Sequence, residues 1–292
     1  MTKDSGVIVK GIGGFYYVKT QNAVIECRAK GIFRKNEITP MVGDRVFVNL
    51  NSDGTGVVAE ILPRKNSLVR PAVSNIDQLI IVASVVAPEP DLALIDKLSV
   101  IAKYKDIDCA LVINKIDLDS NEADKLEGIY KGIFPVIKVS AKDKINLDQF
   151  KKLLDGKIST LAGLSGAGKS SLLNAVFGVE IQKTGEVSKK IDRGRHTTRH
   201  VELIPLDDNT FMLDTPGFSS LDVLDVPYNE VSKCFVEFSK YEDLCFFRGC
   251  SHTKEPKCAV KQALEEGKIQ KSRYDNYVEI YEKAKEIKEW EK

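Results

Sequence analysis

The stretch Gly163-Leu164-Ser165-Gly166-Ala167-Gly168-Lys169-Ser170 fits G-x-x-x-x-G-K-[ST], the pattern of a loop that cradles phosphates. Its glycines let the backbone wrap an anion with the N–H groups pointing inward. A helix starting at the same point adds partial positive charge. Lys169 is placed to reach the outer phosphates, and the Ser170 hydroxyl to ligate Mg²⁺. Ser171 follows in the same turn and is counted with the nucleotide-binding residues.

Three further motifs give the phosphate loop a context. Asp214-Thr215-Pro216-Gly217 ends an apolar segment. An Asp there can hold Mg²⁺ through water, and the Gly217 N–H can sense a γ-phosphate. Asn114-Lys115-Ile116-Asp117 ends another apolar segment. The Asp117 carboxylate can accept from guanine N1 and N2, donors that adenine lacks, and the Lys115 stem can cover the base. Ser140-Ala141-Lys142 ends a third, where backbone can contact guanine O6. Together these predict a guanine-nucleotide site binding GTP and GDP.

Cys245, Cys250, His252 and Cys258 form a separate cluster. Three thiolates and one imidazole suit one tetrahedral Zn²⁺, and four protein ligands leave no open position, so the zinc is expected to be structural. Cys27, Cys109 and Cys234 stand alone and read as small core residues. His200 and Trp290 carry no functional expectation.

The elements that must position these groups follow from pattern. Residues 6–10, 15–20, 23–29, 44–50 and 56–62 read as short strands, punctuated by Gly13-Gly14, Gln21-Asn22 and Asp53-Gly54. Five such strands predict an oligonucleotide-binding (OB-like) β-barrel over residues 1–65. Residues 30–43 read as a flexible basic loop, and 63–66 as an exit linker. From residue 76 strands (79–86, 110–114, 136–139, 158–162, 201–205, 211–214) alternate with helices (91–105, 121–132, 146–154, 169–177). That alternation predicts an α/β domain over 66–227. Residues 228–292 show no strand pattern and read as a helical zinc-binding domain ending in a charged helix from residue 272.

The order of motifs is rotated. An ordinary GTPase runs phosphate loop, switch I, D-x-x-G, N-K-x-D, S-A-K. Here N-K-x-D and S-A-K precede the phosphate loop, so the α/β domain is expected to be a circularly permuted P-loop GTPase domain. With a barrel ahead and the Cys/His cluster behind, this order resembles the ribosome small subunit-dependent GTPase A family over essentially the whole chain. The motifs that carry the resemblance are residues 163–170, Gly194-Arg195-His196-Thr197-Thr198-Arg199-His200, residues 214–217 and the Cys/His spacing. The resemblance implies a bacterial GTPase that acts late in maturation of the small (30S) ribosomal subunit. It also implies a partnership with that subunit and its 16S rRNA, and hydrolysis stimulated by it.

Where Ras-like enzymes carry a water-orienting Gln after D-x-x-G, this chain has Phe218, which cannot perform that task. His196 is the nearest candidate, beside Thr197 and Thr198, and the resemblance makes it the catalytic candidate. A contact with ribosomal RNA or with solvent is the other reading of His196. Thr197 and Thr198 are expected near the γ-phosphate, with Thr198 favoured over Thr197 as the Mg²⁺ ligand beside Ser170 and Asp214.

Bulk properties set bounds. The 292 residues carry a formal net charge of +1, yet residues 1–65 hold 10 Lys/Arg against 6 Asp/Glu, a balance that permits a nucleic-acid partner. No secretory pattern opens the chain, and the apolar run at 79–87 is far shorter than the roughly 20 residues that span a bilayer. A cytoplasmic monomer without a membrane partner is expected. The alternative function is a GTP-controlled RNA-binding assembly factor with incidental turnover. An ATPase is opposed by Asn114 and Asp117.

Overall fold

The computed structural model describes residues 3–35, 38–68, 71–178, 201–214 and 226–290. Five strands build an N-terminal barrel: β1 (Lys3–Ile12), β2 (Phe15–Thr20), β3 (Val24–Ala29), β4 (Arg45–Leu50) and β5 (Gly56–Ile61). They run β1-β2-β3-β5-β4, and β4 returns to pair with β1. The β3–β5 pair is parallel and the others antiparallel, the closed Greek-key arrangement of an OB-like barrel. Alternation fills its interior with Ile8, Val18, Ile25, Cys27, Val46, Val48 and Val58.

The basic connection after β3 is not simply a loop. It contains a one-turn helix, α1 (Gly31–Lys35), because Phe33 turns inward and joins the barrel core. Nor is the exit from the barrel loose. Arg64 forks onto the fully buried Asp44 at 2.7 and 2.8 Å, and Ser74 Oγ donates to the same carboxylate at 2.6 Å. A small hairpin, β6 (Ser67–Leu68) with β7 (Val73–Ser74), follows. Gly43 must lack a side chain here: its φ is +92° and a Cβ would stand 2.0 Å from the Ser74 carbonyl oxygen.

The second sheet contains β8 (Gln78–Ser84), β9 (Asp108–Asn114), β10 (Val136–Lys138), β11 (Ile158–Ala162), β12 (Glu202–Pro205) and β13 (Phe211–Asp214). Their spatial order is β10-β9-β8-β11-β13-β12, parallel throughout except β12. The phosphate-loop strand β11 is the fourth of these in the chain but lies inside the sheet, between β8 and β13. That is the topology of a circularly permuted GTPase. Both faces are covered by helices: α2 (Leu92–Tyr104), α3 (Ser120–Tyr130), α4 (Leu147–Leu154) and α5 (Lys169–Phe177). Strand β8 is buried along its whole length, with Leu79 and Ile81 facing one helical layer and Ile80 and Val82 the other. Asp91 and Asp119 cap α2 and α3 by accepting the Leu94 and Glu122 N–H groups. The sheets are joined where Lys10 of β1 pairs with Glu202 of β12, in register and by a 2.8 Å ion pair.

The C-terminal part has no strand among the described residues. It comprises α6 (Tyr228–Cys234), 3₁₀ turns at Val236–Lys240 and Glu242–Leu244, α7 (Ala259–Glu265) and α8 (Lys271–Trp290). It does not own a separate core. Val231, Phe235, Phe238 and Tyr277 share one apolar cluster with Ile95, Leu98 and Ile101 of α2. Cys109 and Cys234 pack in that cluster and Cys27 in the barrel, as small core residues.

A buried ionic knot holds this junction. Arg273 of α8, 1% exposed, donates to Asp96 of α2 at 2.7 Å and forks onto Glu237 at 2.8 and 2.9 Å. Tyr130 and Asn276 also donate to Asp96, at 2.8 and 2.6 Å. Burial raises the Asp96 carboxyl above its ordinary range, opposed by the Arg273 charge and these hydrogen bonds. Removing one partner of such a pair strands a buried charge and costs about 3–5 kcal/mol. Arg273→Met is therefore expected to destabilise the protein by about that much in denaturant unfolding. Lys233→Ala, which breaks an exposed pair on α6, should change stability by less than about 1 kcal/mol.

Candidate functional site

The four described strand ends that carry motifs lie on one edge of the α/β sheet, at the carboxyl ends of parallel strands. In such sheets that edge forms the ligand crevice. Strand β9 delivers Asn114, Lys115 and Asp117; β10 delivers Ser140, Ala141 and Lys142; β11 delivers residues 163–171; β13 delivers Asp214.

Asn114 ties three of these ends together. Its side chain is buried, donating from Nδ2 to the Ala167 carbonyl of the phosphate loop at 3.0 Å. Its Oδ1 accepts the Ala141 N–H at 3.2 Å. The sequence marked Asn114 as a motif member; its role as a bridge between guanine and phosphate motifs was not read from spacing. Beside it, Asp117 Oδ1 accepts the Ser140 hydroxyl at 2.6 Å, and that hydroxyl accepts the Asp143 N–H at 3.0 Å. Ser140 thereby fixes one carboxylate oxygen of Asp117. Lys115 takes a left-handed backbone, φ 64°, and its ammonium donates to the Ala87 carbonyl after β8. Ala87 was invisible to motif reading, because it contributes only a main-chain oxygen.

The phosphate loop is shaped by two glycines in particular. Gly163 has φ 130°, and a Cβ there would stand 2.1 Å from the Val82 carbonyl oxygen. At Gly168, with φ 96°, it would stand 2.1 Å from Asn114 Nδ2. Lys169 Nζ donates to the Gly163 and Leu164 carbonyls at 2.9 and 2.8 Å, so the cation already sits over the loop. Burial lowers its pKa. Ser165, Gly166 and Ser171 are exposed, Ala167 is buried, and Ser170 is half-buried in the first turn of α5. This arrangement of loop, helix start, Lys and Ser fits a nucleotide phosphate with Mg²⁺.

Asp214 is the last residue of β13 and is paired with Glu202. His196, Thr197, Thr198, Gly217 and Phe218 lie outside the described residues.

The Cys/His set converges. The ligand atoms of Cys245, Cys250, His252 and Cys258 all lie within 4.8 Å of one another, a group that could hold a metal ion. Sγ of Cys245 and Cys258 are 3.9 Å apart, and His252 Nδ1 is 3.6 and 3.4 Å from them. A tetrahedron with Zn–S bonds of ~2.3 Å and a Zn–N bond of ~2.0–2.1 Å has edges of about 3.8 and 3.6 Å, so the set fits Zn²⁺. Burial lowers the His252 pKa and favours the neutral imidazole that a metal requires. Burial and the neighbouring thiols hold Cys250 up to about 12, a proton that a divalent cation would displace. Tyr274 and Tyr277 of α8 donate to the His252 and Ser251 carbonyls, anchoring the loop to the helix.

Comparison with known proteins follows the same lines. The model of the RsgA GTPase matches residues 61–224, and that of the RsgA N-terminal domain matches residues 5–58. The small ribosomal subunit biogenesis GTPase RsgA of Ruminiclostridium cellulolyticum is 44% identical over 290 residues, covering 98% of this chain and 95% of the relative. Its namesake from Clostridium perfringens is 46% identical over 279 residues, covering 95% and 96%. Among solved structures, YjeQ from Thermotoga maritima superposes with a TM-score of 0.87 at 38% identity, covering 97% of this chain and 99% of that one. YloQ, described as a circularly permuted GTPase, superposes at 0.82 with 37% identity, covering 98% and 96%.

Two outcomes follow from the geometry. Gly168→Ala drives a methyl group onto Asn114 and should weaken guanine-nucleotide binding by at least about tenfold, a loss of ~1.4 kcal/mol or more, in a titration with a fluorescent GDP analogue. Cys250→Ala should abolish stoichiometric metal by elemental analysis and lower the helix content, because metal binding is part of the folding free energy of such a loop.

Proposed function

The chain belongs to the RsgA GTPase family, and from that premise we propose that it hydrolyses GTP to GDP and phosphate during late maturation of the small ribosomal subunit, with the subunit as its activator. The observation that carries the chemistry is the Asn114 bridge, which holds the guanine motif and the phosphate loop as one site. In this reading Asp117 accepts from the guanine edge, Lys115 covers the base, and the Ser140-Ala141-Lys142 backbone meets O6. The N–H groups of residues 163–171 and the Lys169 ammonium hold the phosphates. Mg²⁺, when bound, neutralises charge on the β- and γ-phosphates, and Ser170, Thr198 and Asp214 would hold it. Gly217 senses the γ-phosphate. Zn²⁺ on Cys245, Cys250, His252 and Cys258 has a structural role.

His196 orients or deprotonates the attacking water, since Phe218 has no group that can. The barrel contacts 16S rRNA. The working modules are residues 1–65, 66–227 and 228–292, and the protein acts as a cytoplasmic monomer. Among the described residues no helix is long and apolar enough to cross a membrane. Incidental turnover on an RNA-binding factor is not favoured, since the relatives that match nearly end to end are named as GTPases.

The test is GTP turnover with and without purified small subunits. Addition of subunits should raise kcat by at least about tenfold, a barrier reduction of ~1.4 kcal/mol. His196→Ala should bind nucleotide like the parent and lose most of that stimulation. A small subunit that leaves turnover unchanged sinks the proposed activator, and an equally stimulated His196→Ala sinks the role of His196.

A further inference from the structure

Strand β8 ends on a hydroxyl with nothing to bond. Ser84 is 1% exposed, and its Oγ has no hydrogen-bond partner among the described residues. A buried hydroxyl has lost its water, and without a partner that loss is not offset. Buried polar atoms in folded proteins are nearly always bonded, so the exception calls for a reason. An alanine would fill the same place without the penalty. The polar side chains nearby are committed. Asn114, in register with Ser84 on β9, bonds the Ala167 carbonyl and the Ala141 N–H. Ser159 accepts from Gln78. The other unpartnered hydroxyl among the described residues, on Thr160, belongs to the opposite face of the sheet, the face of Ala162. Alternation along β8 puts Ser84 on the face of Ile80 and Val82, which pack with Ala167 and Leu172 beneath the phosphate loop. Ser84 also lines a void of about 10 Å³ with Val82, Pro88, Gly163, Leu164 and Ala167, room for one water at most.

The same corner holds a donor with two claims on it. Lys169 Nζ donates to the Gly163 and Leu164 carbonyls. A lysine at this place in a phosphate loop serves the nucleotide by donating to its outer phosphates. An ammonium that turns to the phosphates leaves two loop carbonyls short of a donor. Both carbonyls belong to residues that share the void with Ser84, and the Ser84 hydroxyl is the uncommitted buried donor beside them among the described residues. A serine hydroxyl rotates freely enough to change partners. We propose that Ser84 is a positioning residue for the phosphate loop, whose hydroxyl donates to the Gly163 or Leu164 carbonyl that Lys169 releases when it turns to the nucleotide. The proposal rests on the reading of residues 163–171 as the phosphate site. Its consequence is a bond made only with nucleotide bound. Ser84 then stabilises that form and not the arrangement in which Lys169 rests on the loop.

The experiment uses the full chain, freed of nucleotide. Fluorescence titration measures affinity for GDP and for a non-hydrolysable GTP analogue, and urea unfolding without nucleotide gives the midpoint. Ser84→Ala should bind both nucleotides about fivefold or more weakly. Its midpoint without nucleotide should equal or exceed that of the parent, because the unpartnered hydroxyl is gone. A hydroxyl with a merely structural role would lower the midpoint instead. Lys169→Ala should reverse the sign. In that background the two carbonyls lack the ammonium throughout, so the Ser84 hydroxyl bonds one of them even without nucleotide. Adding Ser84→Ala to Lys169→Ala should therefore lower the midpoint, a departure from additivity. Parental nucleotide affinity in Ser84→Ala, or a midpoint that falls in Ser84→Ala by itself, overturns the proposal. The same midpoint change from Ser84→Ala with and without Lys169 also overturns it. A parent that binds no guanine nucleotide refutes the reading of the site, whereas a parent that binds while Ser84→Ala binds equally well refutes the role of Ser84 alone.

Discussion

Three of the strand ends at the nucleotide crevice are tied together by the Asn114 side chain. One buried amide donates to the phosphate loop and accepts from the S-A-K turn, across strand ends that are 53 and 27 residues away in the chain. Such an amide has few alternatives. Buried without partners it would cost about 1–3 kcal/mol, so its geometry dictates where Ala167 and Ala141 must stand. Gly168 is the corollary, since no Cβ fits between the loop and that amide. Because the site is closed by these lateral bonds and by sheet register, chain order is free to vary. The permutation changes which strand comes first and leaves the neighbours of β11 as they must be.

The flanking parts are joined by a different device, in which each junction contains an ion pair on a fully buried carboxylate. The barrel meets the α/β domain at Asp44–Arg64, with Ser74 completing the carboxylate's partners. The C-terminal helices meet it at Asp96–Arg273–Glu237. Neither pair is a strong net source of stability, since desolvation offsets most of the attraction. Their effect is angular. A forked guanidinium donates to a carboxylate in few geometries, and an apolar contact would tolerate many. The shared cluster around Phe235, Phe238 and Tyr277 supplies the burial, and Arg273 fixes how α8 lies on α2. The loop that carries the Cys/His cluster inherits that orientation through Tyr274 and Tyr277, one and four residues further along α8.

Much of this was legible in the sequence, for local reasons. Gly13-Gly14 and Asp53-Gly54 mark turns between β-rich runs, and strand β2 and helix α5 fall at the residues that pattern gave them. The motif residues announce themselves because phosphate, guanine and zinc each demand particular side chains at short spacing. What stayed hidden is long-range or main-chain. Arg273 and Asp96 are 177 residues apart, and nothing in a periodicity links them. Asp44 opens a predicted strand and Arg64 falls in the predicted exit linker, and nothing in their spacing pairs them. The turn of helix at Gly31–Lys35 depends on Phe33 finding the barrel interior. The Lys115–Ala87 contact uses a carbonyl oxygen, which no residue type advertises. His196, Thr197, Thr198 and Gly217 come from motif and resemblance and lie outside the described residues.

The continuity of the two sheets bears on how the crevice is connected to the barrel. Strand β13, which ends in Asp214, is paired along four residues with β12. Strand β12 is in turn paired with β1 at Glu202 and Lys10, and the two side chains close an ion pair there. The barrel is attached in several ways, since Val9 and Val42 also share a buried apolar cluster with Ile76 and Leu203. The Asp44–Arg64 joint forks onto a buried carboxylate and fixes an angle. The Lys10–Glu202 joint is a single register point between partly exposed side chains, and an exposed pair of this type contributes about 0–1 kcal/mol. In an unpermuted order β11 would come first of the six strands, and the chain entering from the barrel would lead into the phosphate loop. Here it leads into β8, on the guanine side, and leaves the phosphate-side strands β12 and β13 as the edge that meets β1.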